Sequence, residues 1–284
     1  MKLSVQGRTA YAYTGGVTFD PALPCVVFVH GALNDHSVWT LLARWFAHHG
    51  RSVLALDLPG HGRSEGPPPA SVEAAADTML ALLDAAGVER AAFVGHSLGS
   101  LIALEAAARA PGRVTQLGLI GTAFPMKVSP ALLATARETP LAAIDMVNAL
   151  SLSTIAAKPS YPAPGAWLHG AQRALMRRLQ GQAEARGLNL FAHDFAICDA
   201  YGRGQPSPPA LSRVAGEGAD GGVSTALRCP VAVVAGAKDT MTPPKAAREL
   251  AAALNACVTT LPAGHSLMAE APDGVLAALR ALLD

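Results

Sequence analysis

The sequence predicts an α/β fold: a mostly parallel twisted sheet flanked by helices, with a helical insertion near its middle. Three observations carry this. Short β-branched runs alternate with amphipathic helical stretches along most of the 284 residues. The runs are apolar at every position rather than at alternate ones, which marks strands buried on both faces. The alternation then stops between about residue 124 and residue 226, where helical fragments follow one another without strands.

In chain order, "LSVQ" and "TAYAY" read as an antiparallel hairpin at the sheet edge. The buried strands are "CVVFVH" (25–30), "SVLALDL" (52–58), "AAFVGH" (91–96), "VTQLGLIG" (114–121), "VAVVAG" (231–236) and "CVTTLP" (257–262). Crossover helices fit "SVEAAADTMLALLDAAG" (71–87), "SLGSLIALEAAARA" (97–110) and "PPKAARELAAALN" (243–255); the last opens on prolines, which a first helical turn tolerates. The insertion carries the helical pieces "PALLATARET", "PLAAIDMVNALS" and "GAQRALMRRLQGQAEA". Its segment at about 202–222 is rich in Gly, Pro and Ser, a composition expected of a mobile loop. The expected division is a core of residues 1–123 and 227–284 and an insertion of residues 124–226.

Lys and Arg total 22 against 21 Asp and Glu, so a net charge of +1 offers no footprint for nucleic acid or an anionic membrane. No apolar run approaches the roughly 18 residues that span a bilayer, and the first residues lack a signal peptide's apolar stretch; a cytoplasmic location is the expectation. Cys25, Cys198, Cys229 and Cys257 are scattered without metal-binding spacing and read as small hydrophobes. Neither a phosphate-cradling loop nor a metal cluster is visible, so no cofactor and no metal are expected.

One motif asks for chemistry. "VGHSLGS" places Ser97 between Gly95 and Gly99 where a strand passes into a helix, the context that gives G-x-S-x-G its meaning. Bulky side chains at the two glycines would collide with neighbouring backbone, and the helix start aims free N–H groups at the serine. Alone, the pattern also fits a Gly-Ser turn in which Ser97 caps a helix. A serine nucleophile needs a base and a carboxylate. Asp239 lies just past one buried strand and His265 just past the last, and parallel strands open their carboxyl ends on one edge, where the three can converge. His96 adjoins Ser97 but is expected to point away from it and to pack.

With the segments "FVHGALNDHSVW", "LDLPGHGRSEG", "VGHSLGS", "GAKDTMTP" and "AGHSLMAEAP" in this order, the chain resembles the α/β-hydrolase superfamily over nearly its whole length, in the branch with a helical cap. The resemblance implies Ser97 as nucleophile, His265 as general base and acid, and Asp239 as the group that orients His265. It implies an oxyanion hole from the backbone N–H groups of Ala32 and Leu98, with His30 and Gly31 shaping the loop. Asp57, His61 and Arg63 are expected to be structural. Haloalkane dehalogenases and epoxide hydrolases, which are similar to this chain, use an aspartate nucleophile, so the serine argues against both. The expected activity is hydrolysis of a small or medium carboxylic ester through an acyl-enzyme on Ser97. A carbon–carbon hydrolase or lactonase with the same triad is the alternative, and a non-catalytic small-molecule-binding protein is the alternative of another class. The cap should line the pocket through Met126, Trp167, His193, Phe195 and Tyr201, with His169 a further candidate. Leu33, Leu267 and Met268 would contribute from the core. A monomer or homodimer is expected, with a small ester-like substrate as partner.

Overall fold

The computed structural model describes residues 1–204, 208, 211 and 227–284. Eight strands form one sheet in the order β1-β2-β4-β3-β5-β6-β7-β8: β1 (Lys2–Val5), β2 (Arg8–Tyr13), β3 (Cys25–Val29), β4 (Ser52–Leu56), β5 (Ala91–His96), β6 (Val114–Ile120), β7 (Val231–Gly236) and β8 (Cys257–Leu261). The first two strands pair antiparallel, as does β2 with β4; every pair from β4 onward is parallel.

The continuous apolar runs have a simple cause in the two-residue period of a strand. Cys25, Val27 and Val29 face one apolar cluster, together with Leu54, Leu56, Ala91 and Phe93. Val26 and Phe28 face the other, with Val53, Ala55, Ala92 and Val94. Helices α2 (Val72–Ala85) and α3 (Leu98–Arg109) cover the first face, as does α8 (Arg248–Ala253). The second is covered by α1 (Thr40–His48) and α10 (Pro272–Leu283), the latter following a single turn, α9 (Leu267–Glu270). Strands with helices on both faces must be buried at every position, and β3, β4, β5 and β7 are. β8, read from its sequence as a buried strand, is not: it is the sheet's edge, and Cys257, Val258 and Thr260 are exposed there.

Between β6 and β7 the chain builds α4 (Pro130–Glu138), α5 (Pro140–Ser151), α6 (Leu168–Glu184) and α7 (Leu190–Ala200). Their starts are written locally. Ser129 Oγ accepts the Leu132 N–H with Pro130 in the first turn, and the Asn189 side chain accepts the Ala192 N–H. The four helices share an apolar cluster that includes Leu132, Ile144, Met176, Leu179 and Phe191. One core residue, Leu33, reaches into this cluster from the loop after β3. Most of the Gly/Pro-rich segment 202–222, expected to be a mobile loop, lies outside the described residues.

Candidate active site

The sheet's geometry brings the loops after β3, β5, β7 and β8 to one edge. At the end of β5, Ser97 adopts φ +53 and ψ −120, a conformation that side-chain-bearing residues avoid. The turn is possible because its neighbours are glycines. A Cβ on Gly95 would sit 2.0 Å from the Gly99 carbonyl oxygen, and one on Gly99 would sit 2.2 Å from that of Val29. Ser97 N–H donates to Ile120 O at 2.9 Å, which fixes the turn to β6. Leu98 opens α3, so its N–H has no acceptor within the helix.

Past β7, the Asp239 carboxylate is fully ringed by donors. Oδ1 accepts the N–H groups of Met241 and Thr242, both at 2.8 Å. Oδ2 accepts Thr242 Oγ1 at 2.7 Å and His265 Nδ1 at 2.8 Å. Burial alone would raise this carboxyl, but the His265 ring and the donors of Thr242 outweigh it and hold the pKa at about 2. An ionised carboxylate only accepts, so Nδ1 carries a hydrogen toward Asp239, and Nε2 is the ring nitrogen left over for proton transfer. The His265 backbone is pinned as well: its N–H donates to Ser151 O at 2.7 Å, and His96 Nε2 donates to its carbonyl at 2.9 Å.

His96 corrects an expectation. Its ring does not turn away from the site but lies against that of His265, centroids 4.8 Å apart, and lines the cavity. Burial, with His265 adding to it, lowers its pKa to about 3, so it stands neutral beside the second histidine. Its Nδ1 is buried without a hydrogen-bond partner.

Ser97 and His265 open onto two chambers, of about 250 and about 220 Å³. Both chambers also take in Ala32, Phe195 and Met241, so the junction lies over the serine. The first has aliphatic walls, among them Val147, Leu175 and Met268, and a polar end of Asn34, Ser37, Gln172 and Ser266. The second is lined by Met126, Val128, Leu132 and Cys198, with exposed Lys127 on its wall.

Of the residues expected around a substrate, Met126, Phe195, Met268 and Ala32 therefore meet here. Others are placed elsewhere for identifiable reasons. Leu33 is buried among the insertion helices, and Leu267 is packed against the sheet. Trp167 is 50% exposed and stacks on His169. His193 donates to Pro69 O at 2.8 Å, and Tyr201 sends its hydroxyl to Glu105 at 2.8 Å. None of these six lines either chamber. Sequence reasoning missed Met241 and Thr242, which lie two and three residues past the acid in "DTMTP", and Gln172 on α6.

Among the described residues, one group has metal-like spacing: Asp35, His36 and Asp57. Protein donors already occupy its carboxylates. Asp57 accepts the His36 N–H and Nδ1, each at 2.7 Å, and the Arg63 N–H at 2.8 Å; Asp35 accepts from Ser37 and from Arg178. Donors of that kind hold a loop together, which is a structural use of these three side chains.

A family model described as "Alpha/beta hydrolase family" matches residues 26–278. The enol-lactonase from Burkholderia xenovorans LB400 superposes with a TM-score of 0.76 over 100% of this chain and 99% of its own, at 21% identity, a likeness of fold alone. Two curated relatives match more locally. The dihydrolipoyllysine-residue acetyltransferase component of the acetoin cleaving system of Pseudomonas putida is 39% identical over 99 residues, 34% of this chain and 26% of that protein. The pimeloyl-[acyl-carrier protein] methyl ester esterase of Methylococcus capsulatus is 38% identical over 97 residues, 34% of this chain and 36% of its own. The chain thus spans about a third or less of the length of these curated relatives.

Proposed function

The chain belongs to the alpha/beta hydrolase family, and from that premise we propose that it is a serine hydrolase cleaving small or medium carboxylic esters, with residues 124–226 acting as a cap. The observation that carries this is the strained Ser97 at the junction of two chambers shared with His265, whose Nδ1 is fixed on a deeply ionised Asp239.

In this reading His265 Nε2 takes the Ser97 hydroxyl proton as Oγ attacks the ester carbonyl carbon. The charge that develops on the carbonyl oxygen is met by the N–H groups of Leu98 and Ala32, which are worth on the order of 3 kcal/mol each. Collapse of the tetrahedral intermediate expels the alcohol, which takes its proton from His265 and leaves an acyl-Ser97. Water, activated by the same ring, then releases the acid and restores the serine. Asp239 stabilises the imidazolium that forms twice in the cycle.

The two chambers favour an open-chain ester, with acid in one and alcohol in the other. A lactone would hold both parts in one ring and needs only one chamber, although a fold neighbour is an enol-lactonase. A fluorophosphonate probe should label Ser97 in the folded protein and not in Ser97→Ala. A panel of aryl esters, lactones and dienoic diketones should give its largest kcat/KM with the esters. No adduct at Ser97 in unblocked, folded protein would overturn the reading.

A further inference from the structure

The loop from Gly31 to Asn34, which carries the Ala32 N–H, is held by the insertion more than by its own sheet. The Leu33 N–H donates to Asp194 Oδ2 at 2.8 Å, across 161 residues of sequence, and Asp194 belongs to α7. The same oxygen takes His61 Nε2 at 2.9 Å, and both side chains are 1% exposed. Leu33 has φ +50, an uncommon conformation for a branched side chain, and its fully buried side chain sits in the insertion's apolar cluster. Both the backbone and the side chain of this loop are thus gripped from the cap side.

The partners dictate the charges. His61 Nδ1 faces Pro59 O at 3.1 Å while Nε2 faces the carboxylate. Both partners only accept, so both nitrogens carry hydrogen and the ring is an imidazolium. His30, with its centroid 5.0 Å away, has the opposite arrangement: Nε2 accepts the Leu58 N–H at 3.0 Å, Nδ1 donates to Gly31 O at 2.8 Å, and the ring is neutral. The His61 imidazolium therefore faces the Asp194 carboxylate directly, with Asp57 the further carboxylate acting on it, and removing either member of the pair takes away the other's hydrogen-bonded partner.

We infer that Asp194 is the positioning residue of the oxyanion loop: by holding the Leu33 N–H it aims the Ala32 N–H, one peptide earlier, at the oxygen on which charge develops. The inference rests on the acyl-transfer reading of Ser97. Docking of α7 then does more than close the site. It completes the oxyanion hole, so a cap displaced by an ångström would remove a donor as well as a wall.

The test is Asp194→Leu, which keeps the approximate volume and removes the oxygen that accepts the Leu33 N–H, compared with the unmutated protein on an aryl ester. The expected result is a tenfold to hundredfold fall in kcat with KM within twofold; Asp194→Asn, which keeps an acceptor for Leu33, should retain more of kcat. Affinity for a trifluoromethyl ketone, which forms the tetrahedral oxyanion, should fall in step with kcat/KM, while that for an isosteric alkane that cannot form it stays within twofold. His61→Gln, which leaves the carboxylate on Leu33, should retain more of kcat. Hydrogen exchange of the unmutated protein serves if the variants do not fold: residues 31–34 should exchange together with α7 and not with β3 and β5. Unchanged kcat in folded Asp194→Leu, equal weakening of both inhibitors, or exchange of the loop at the rate of the sheet would each overturn the inference. Full activity in Ser97→Ala would instead overturn the parent reading.

Discussion

At Ser97 the protein holds a non-glycine residue at φ +53, a cost of about 1–3 kcal/mol. A glycine there relieves the strain and loses up to about 1 kcal/mol through its freer unfolded chain. Ser97→Gly is therefore expected to be inactive yet more stable than the unmutated protein by about 1 kcal/mol, with its melting temperature about 2 °C higher. Ser97→Ala, which keeps a Cβ in the same dihedrals, is inactive without the gain. Differential scanning calorimetry of the two variants separates the nucleophile from the strain; equal melting temperatures would remove the strain argument. The residues of this turn were readable in the sequence because the chemistry constrains the neighbours as much as the serine: a Cβ at either flanking position meets backbone oxygen within 2.2 Å. Asp239 and His265 were readable for a different reason, since each follows a strand of the parallel part of the sheet and parallel strands end on a common edge; that β8 is an exposed edge strand does not change where its end points.

Helix α7 shows what sequence reading could not reach. Its segment "NLFAHDFAICDAY" is apolar around most of its circumference, because it packs against other insertion helices on one side and the core on the other. Such a helix has no amphipathic stripe to state which face meets the substrate. Phe195 lines both chambers, whereas Tyr201, six residues on, binds Glu105 of α3, and Asp194, the interruption in the apolar run, is paired with a residue far away in sequence. Strand faces follow from a period of two, but the walls of a site between two layers depend on how helices rotate against each other, and local sequence does not encode that. The placement of Phe195 has a measurable consequence. It stands between the chambers, stacked on Phe191 with centroids 4.6 Å apart. Phe195→Ala should merge the two spaces and shift the optimum of a p-nitrophenyl ester series toward longer acyl chains by several carbons, while costing about 3 kcal/mol of stability. An unchanged chain-length profile in a folded variant would show that the ring does not limit the acyl site.

Over the whole molecule the buried ionic groups set a stability window with two different edges. Asp239 titrates at about 2 when folded against an ordinary 3.8, so its contribution is complete above pH 4 and is lost as pH falls toward 2. That difference corresponds to roughly 2 kcal/mol. Asp35, Asp57 and Asp194 are likewise lowered, each because its hydrogen-bond and ionic partners outweigh the cost of burial, and they add to the same acid limb. The alkaline edge has the opposite sign. Burial would lower His61, but Asp194 outweighs it and raises the pKa above the ordinary 6.5, with Asp57 acting in the same direction and neutral His30 beside it. A raised histidine stabilises fully below 6.5 and ceases to do so as pH climbs through its folded value, so the grip of α7 on the loop of residues 31–34 weakens there while the sheet is untouched. Guanidinium midpoints measured from pH 2 to pH 10 should fall on both sides of a neutral plateau. Asp239→Asn, less stable at pH 7, should lose about one proton's worth of slope between pH 4 and pH 2, and His61→Gln should flatten the alkaline limb and also weaken the part of the acid limb that Asp194 supplies. Acid limbs that run parallel in Asp239→Asn and the unmutated protein would mean that the carboxylate holding His265 is not ionised by its neighbours, and the orientation of the His265 ring would need another source.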